Sequence, residues 1–529
     1  MNTKKIIING HSLTIEDVFD VAFNNSIVKF PEDDNFKNQV FKSRKFLELY
    51  IKKGYPIYGV TTGFGDSCHN QISPLKSQKL QKALVDFHGI GIGDYFSNEE
   101  SRAITLIRLN SNIKGYSGIT MKLAELMKDL LNRNISPIIP QLGSVGASGD
   151  LTPLSYLAAV LIGERKVYYK GKIIDTKKAF QSESLTPVKL ESKEGLALMN
   201  GTSVMTAIAS IAWMDINKLT KISDFISGAT VCIVNGNDIP FRDKVSTIKN
   251  HKGQILSASY IFNVIKDSNA IHKYEHLLDK IGTIEENNHY KKNDLKIQDR
   301  YSIRCAPQIN GVLRDTLEFS KKWIENEINS ANDNPLIDAE NKIIYNSGNF
   351  YGGHITCACD YLRIALANIA DLSDKQAALI IDGKFNNLTE NLIPKLDENS
   401  PLKGLLHGFK AAQISISALS SEIQFLSNPI SIHSRPTEAL NQDKVSLGTI
   451  SARKLKESVD LLYLQFSIHL LAILQAVDLI GVKEFNPFIT KVYNEMRKFT
   501  KFVKEDRPLD EEALKMRDYL RGTDIFNKI

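Results

Sequence analysis

The densest run of special residues is Gly143-Ser-Val-Gly-Ala-Ser-Gly-Asp150. Three glycines in seven residues open backbone angles closed to other residues, so a tight turn forms there at little steric cost. Read alone, the segment is a Gly-rich turn leading into a helix, with backbone N–H groups that suit an anion nest. It is not a phosphate loop: no Gly-Lys-Ser/Thr follows, and the chain has no G-x-G-x-x-G. Metal chemistry is poorly served, because there is no His-Glu-x-x-His and Cys357-Ala-Cys359 has poor zinc spacing.

Such a turn must be held by regular elements, and the chain offers mostly helices. Ser97 and Glu100 form a capping-box pattern before a helix through Leu106 and Leu109. Ile416, Leu419, Ile423 and Leu426 recur at three- and four-residue spacing, one face of a helix. Leu455 to Ile480 is apolar nearly all round, as in the middle of a bundle. Gln465, His469, Gln475 and Asp478 within it favour a buried core helix over a membrane span. Strand-like runs are short: Lys5–Ile8, Lys166–Tyr169 and Ile343–Tyr345. Loop signals gather at Gly59–Gly65, Leu142–Asp150, Glu285–Asp299 and Ser427–Asp443, and the polar Glu285–Asp299 stretch reads as a mobile loop.

Composition narrows the class. The 529 residues are 43% hydrophobic and 24% charged, an ordinary globular balance. A net charge of +6, from 66 basic and 60 acidic residues, is too weak over this length to imply nucleic acid or a membrane as partner. Five cysteines, odd and sparse, fit free thiols in a reducing compartment. The apolar run within Met1–Glu16 is too short for a leader core, so the cytoplasm is the expected location. Residues 1–205 are expected to form an N-terminal domain carrying the Gly-rich loop, and 206–529 a central and C-terminal helical bundle.

Beside Ile57-Tyr-Gly-Val-Thr-Thr-Gly-Phe-Gly65 the Gly-rich segment takes on another meaning. Further blocks are Glu194–Thr202, Tyr301-Ser-Ile-Arg-Cys-Ala-Pro-Gln308, Ser330-Ala-Asn-Asp-Asn-Pro335, Gly348-Asn-Phe350 and Asn441-Gln-Asp-Lys-Val-Ser-Leu-Gly448. Together, and in this order, they resemble the aromatic amino acid ammonia-lyase family. The group includes histidine, phenylalanine and tyrosine lyases and related aminomutases. The resemblance implies a mainly α fold: a globular N-terminal domain carrying an electrophile, then a long central helical bundle. It implies a homotetramer whose active sites draw residues from three subunits, a small aromatic amino acid as partner, and no metal.

Eliminating an amine and a weakly acidic β-hydrogen is chemistry that cofactors usually carry. The resemblance implies a cofactor made in place. Gly149 nitrogen attacks the Ala147 carbonyl and Ser148 loses water, giving a 4-methylidene-imidazol-5-one. The residue types suit this: an unhindered nitrogen, a small flank and a hydroxyl that can leave. Tyr58 resembles the general base, a role that needs its phenol lowered from about 10 by its neighbours. Arg304 resembles the residue that grips the substrate carboxylate through its planar fork. Tyr301 is expected on a lid with Glu285–Asp299. Asn200 and Gln308 look like amide donors to carboxylate or imidazolone oxygen. Phe350 is expected to line the pocket, Glu422 to meet the amine, and Gln442 and Asn441 to support from behind. From the residues alone, Tyr58 also reads as a packed aromatic, Arg304 as a surface ion pair and Glu422 as a solvated helix residue.

Phe87 and His88 align with the pair that contacts the substrate ring in this family. His88 resembles histidine lyases and some tyrosine lyases, whereas Phe87 departs from the Ser often found there. Gly59-Val-Thr-Thr62 and the short Asn441–Gly448 block resemble phenylalanine and tyrosine lyases. The resulting order is tyrosine, then phenylalanine, then histidine. Tyr351, where His commonly follows Gly-Asn-Phe, is a further departure. An aminomutase using the same electrophile, and a non-catalytic scaffold keeping the fold, are the alternatives.

Overall fold

The computed structural model describes residues 4–528. Of the Met1–Glu16 stretch weighed above as a leader, the first three residues lie outside that range. The protein is mainly α-helical, as expected, and its strands are only three or four residues long. The chain divides into two compact units. The first comprises residues 1–214, 320–360 and 429–456, and the second 215–319, 361–428 and 457–529. Two later stretches therefore join the N-terminal segment in the first unit. Four of the five chain boundaries between units fall inside long helices rather than in linkers.

In the first unit the helix Asn98–Asn112 is the centre of the core. Every residue from Glu100 to Asn112 is buried. Ser97 and Glu100 close the capping box at its start, satisfying N–H groups that the first turn leaves open. It packs against the helices Ile15–Phe23 and Met121–Asn132. The fully buried Arg102 meets the Val21 and Leu131 carbonyls, so its charge is enclosed but hydrogen-bonded. The helix Leu151–Leu161 starts directly after the Gly-rich loop and packs on Ser77–Phe87 and Glu194–Met199. These three helices position the loop.

The Lys5–Ile7, Lys166–Tyr169 and Ile343–Tyr345 strands form where the sequence places them. Their partners Ile27–Lys29, Ile135–Pro137, Lys172–Asp175 and Leu336–Asp338 are too short for alternation to announce them. Ile92–Tyr95 pairs antiparallel with Pro140–Leu142, immediately before the loop.

The second unit is almost wholly helical. Among the described residues one helix, Gly448–Ile480, which enters this unit at residue 457, is long and apolar enough to cross a membrane, yet 72% of its most apolar window is buried inside the protein. Its buried polar groups are partly satisfied, while Gln465 Oε1 and His469 Nε2 have no partner among the described residues. Gln465 donates to the Ala370 carbonyl and Gln475 to those of Leu392 and Val503. His469 meets Ser373 at 2.9 Å, and burial pushes its imidazole down to about 3, so it stays neutral. Helix Lys410–Leu426 buries Ile416, Ile423 and Leu426 on one face, the spacing read from sequence.

Lys193 and Asp333, both fully buried in the first unit, pair at 2.5 Å. Removing one partner of such a pair leaves an uncompensated charge in the core. Lys193→Met should therefore lower the unfolding free energy by about 3–5 kcal/mol in urea titration.

Candidate active site

The Gly-rich loop is pinned by backbone contact. Gly149 has φ of +72°, and a Cβ there would overlap the Gly201 carbonyl, so only glycine fits. The Asp150 N–H donates to that same carbonyl at 2.7 Å. A Cβ on Gly201 would in turn strike the buried Arg108 guanidinium and Asn332. Arg108 donates to the Asn200 carbonyl at 3.2 Å and to Asn332 at 3.0 Å. Asn200 and Asn332 come from two of the recurring sequence blocks, and they meet here beneath a third.

Asp150 fixes the other side. One carboxylate oxygen accepts from the Val204 and Met205 N–H groups at 2.9 and 3.0 Å, at the start of helix Ser203–Ile233. The other accepts from the Thr449 hydroxyl. Burial pushes this carboxyl up to about 6, against the pull of those donors.

The loop opens into a cavity of about 1170 Å³ lined wholly by the first unit. Ala147, Ser148, Tyr58, Phe87, His88, Asn200, Phe350 and Gln442 all line it. Asn200 Nδ2 donates to the Ser148 carbonyl at 2.8 Å, and Gln442 Nε2 to Ser148 Oγ at 3.3 Å. Asn200 Oδ1 is buried with no partner among the described residues. Phe64, Phe87 and His88 form an aromatic side, with 4.3 Å between the last two rings. His88 Nδ1 lies 3.0 Å from the Leu84 carbonyl. A carbonyl only accepts, so Nδ1 carries the proton and the neutral ring's Nε2 is an acceptor. Burial holds the imidazole below its ordinary value, which keeps it neutral.

Within one chain, Tyr58 carries the opposite shift from the one that a base needs. A phenol acting as base needs its pKa lowered, but burial pushes this one up and the Glu438 carboxylate pushes it further. Only the Gly65 N–H, donated to the phenol oxygen at 2.9 Å, works the other way. Glu438 itself is a lining residue that the sequence reading passed over. Its carboxylate accepts from the Asp66 N–H and from Asn441 Nδ2. The backbone from Glu438 to Leu440 is left-handed at three successive non-glycine residues, a costly conformation that its contacts must hold. Its sole sequence signal was its place just before the Asn441 block.

Tyr301, Arg304, Gln308 and Glu422 belong to the second unit and are not among the lining residues. Tyr301 is 72% exposed, and the Arg304 guanidinium lies 4.7 Å from its ring centre. Arg304 Nε and Gln308 Oε1 are buried without partners among the described residues. Glu422 is exposed on helix Lys410–Leu426, and the carboxylates among the cavity's lining residues are those of Glu438 and Asp443. Tyr351 does not line the cavity, and its ring packs against its own Gly353. Among the described residues, no group of three or more His, Cys, Asp or Glu could hold a metal ion.

A sequence model described as aromatic amino acid lyase matches residues 13–498. The chain belongs to the aromatic amino acid lyase family. It is a carbon–nitrogen lyase by that membership. A protein of Alkaliphilus oremlandii named histidine ammonia-lyase is 36% identical over 504 residues, 95% of this chain and 94% of that one. The crystal structure of tyrosine aminomutase from Streptomyces globisporus superposes with a TM-score of 0.92 at 32% identity, covering 99% of this chain and 98% of that one. That of histidine ammonia-lyase from Trypanosoma cruzi gives 0.86 at 26% identity, covering 99% and 94%.

The family's prosthetic group can be tested against these residues. A small flank, a leaving hydroxyl and an unhindered nitrogen stand in a loop too tight for any side chain at Gly149. Asn200 holds the carbonyl between them and keeps a second polar atom open. The residues fit. The buried Asp150 carboxyl gives a test of the surrounding frame. Its folded pKa, near 6, is above the unfolded value, so its contribution to stability is full below about pH 4 and is lost as pH rises through 6. Asp150→Asn should therefore gain unfolding free energy relative to the native chain above pH 6, by up to about 3 kcal/mol, and nothing below pH 4. Thermal melts across that range measure the crossover.

Proposed function

We propose that the chain is an ammonia-lyase that removes ammonia from an aromatic L-amino acid whose ring carries a hydrogen-bond donor, giving a trans-arylacrylate. The observation that carries this reading is the His88 acceptor, fixed by the Leu84 carbonyl in the same cavity as Ala147 and Ser148. A phenol or an imidazole N–H satisfies it, and an unsubstituted phenyl ring leaves it unpaired. The relatives named histidine ammonia-lyase move histidine ahead of tyrosine, which the Gly59–Thr62 and Asn441–Gly448 blocks put first. Phenylalanine comes third.

A 4-methylidene-imidazol-5-one built from Ala147, Ser148 and Gly149 supplies the electrophile that lets the amine leave. The chain's own residues do the rest. Asn200 orients the central carbonyl through Nδ2, and Gln442 supports the same residue. Tyr58 accepts the β-proton, and Phe350 packs against the substrate. Because Glu438 and burial raise the Tyr58 phenol, lowering it falls to a cation from outside the first unit. A homotetramer provides one: a second copy brings Arg304 to grip the carboxylate, with Gln308 beside it and Tyr301 on the closing lid. The open Arg304 Nε and Gln308 Oε1 support that assignment. Glu422 is kept as a candidate for the amine from a further copy.

A second reading, an aminomutase that returns ammonia to the β-carbon, is favoured by the likeness to tyrosine aminomutase. Product analysis separates the two. Purified protein incubated separately with histidine, tyrosine and phenylalanine should release ammonia and an arylacrylate, fastest from histidine. A β-amino acid as main product overturns the lyase reading. Ser148→Ala should abolish turnover while leaving the helical circular dichroism unchanged. His88→Leu should shift kcat/KM toward phenylalanine by tenfold or more, on the order of one lost hydrogen bond to the ring; an unmoved preference removes His88 as selector.

A further inference from the structure

Glu327 is a buried acid with no part in the chemistry above. It stands one residue before the end of helix Ala306–Ile328 and belongs to the first unit. Part of the residue reaches the surface, yet its carboxyl is enclosed enough that burial, helped by the Asp150 charge, pushes it up to about 7. Its hydrogen bond is a short one, from the Thr202 hydroxyl at 2.5 Å. Enclosing a carboxyl for the sake of one hydroxyl is a costly way to stabilise a core.

Thr202 explains the placement. It is fully buried and follows Asn200-Gly201, the segment on which the reactive loop rests. Asn200 holds the Ser148 carbonyl, and the Gly201 carbonyl accepts from Asp150 N. Arg108 fixes this segment by the Asn200 carbonyl, and Asp150 fixes the helix start at Val204 and Met205. Between those two anchors, the Thr202 hydroxyl donates to the Glu327 carboxyl.

We propose that Glu327 is a positioning residue: through Thr202 it fixes the Asn200–Gly201 peptide against Ser148–Gly149, in the geometry from which the loop closes on itself. This rests on the ammonia-lyase reading above. In the closure, the Gly149 N bonds to the Ala147 carbonyl carbon. The carbonyl oxygen departs as water with the Gly149 and Ser148 amide protons. The Ser148 hydroxyl departs as a second water with the Ser148 α-proton. Two waters are lost and nothing is oxidised or reduced.

Intact-mass measurement reads the closure without any substrate. The native protein should weigh two waters less than its sequence; if it does not, the ammonia-lyase reading fails, rather than the role of Glu327. Against a closed native protein, Glu327→Ala should leave most chains unclosed and lower kcat roughly 100-fold, with KM little changed, the scale of a displaced reacting group. Glu327→Gln offers Thr202 the same acceptor shape and should restore closure and most of kcat. Full closure and native kcat in Glu327→Ala overturn the proposal, as does a closure defect that Glu327→Gln fails to repair. If Glu327→Ala does not fold, Thr202→Val and Thr202→Ser decide the matter. Loss of closure in Val and its retention in Ser support the inference; equal closure in both overturns it.

Discussion

The close approach of Gly149 to the Gly201 carbonyl is the constraint on which the cavity depends. It brings two loops 52 residues apart in sequence, Gly149 and Gly201, into backbone contact with no side chain between them. Several contacts around it hold the two segments in place. Arg108 and Asn332 fill the space behind Gly201, while Asp150 ties the loop's end to the start of a long helix. A hydrogen-bonded contact of this kind has little freedom to relax, so its geometry passes directly to Ser148.

The frame beneath the loop is unusually polar for a core. Arg108, Lys193, Asp333 and Asp150 are all fully buried or nearly so. Hydrophobic side chains of similar size would stabilise such a core as well or better. Ion pairs and charge-assisted bonds instead specify where each backbone segment lies. The recurring sequence blocks thus find a physical reading. Asn200 touches the loop itself, and Asn332 and Asp333 hold what lies below it.

Much of this was legible in the sequence, and the rest was hidden for identifiable reasons. Helices such as Asn98–Asn112 and Lys410–Leu426 announced themselves by capping and by period, because those signals are local. The four irregular stretches were visible in their glycines and polar residues. Glu438 was not, since its meeting with Tyr58 spans most of the chain and follows no spacing rule. Glu422 drew attention only by interrupting an apolar pattern, which is equally the mark of a solvated face. The phenol of Tyr58 could be named from its block, but the direction of its shift depends on burial and on that distant carboxylate. The joining of 320–360 and 429–456 to the N-terminal segment likewise leaves no trace in linear order.

The hydrogen bond from His88 to the Leu84 carbonyl has a wider chemical meaning. It commits the other ring nitrogen to presenting a lone pair wherever the ring is neutral. On the proposed reading, an aromatic group entering beside it is selected for a proton it can give as well as for its size. An O-methylated phenol or an N-alkylated azole would fill much the same volume but meet that nitrogen lone pair to lone pair. On the same reading, repulsion rather than bulk turns such rings away.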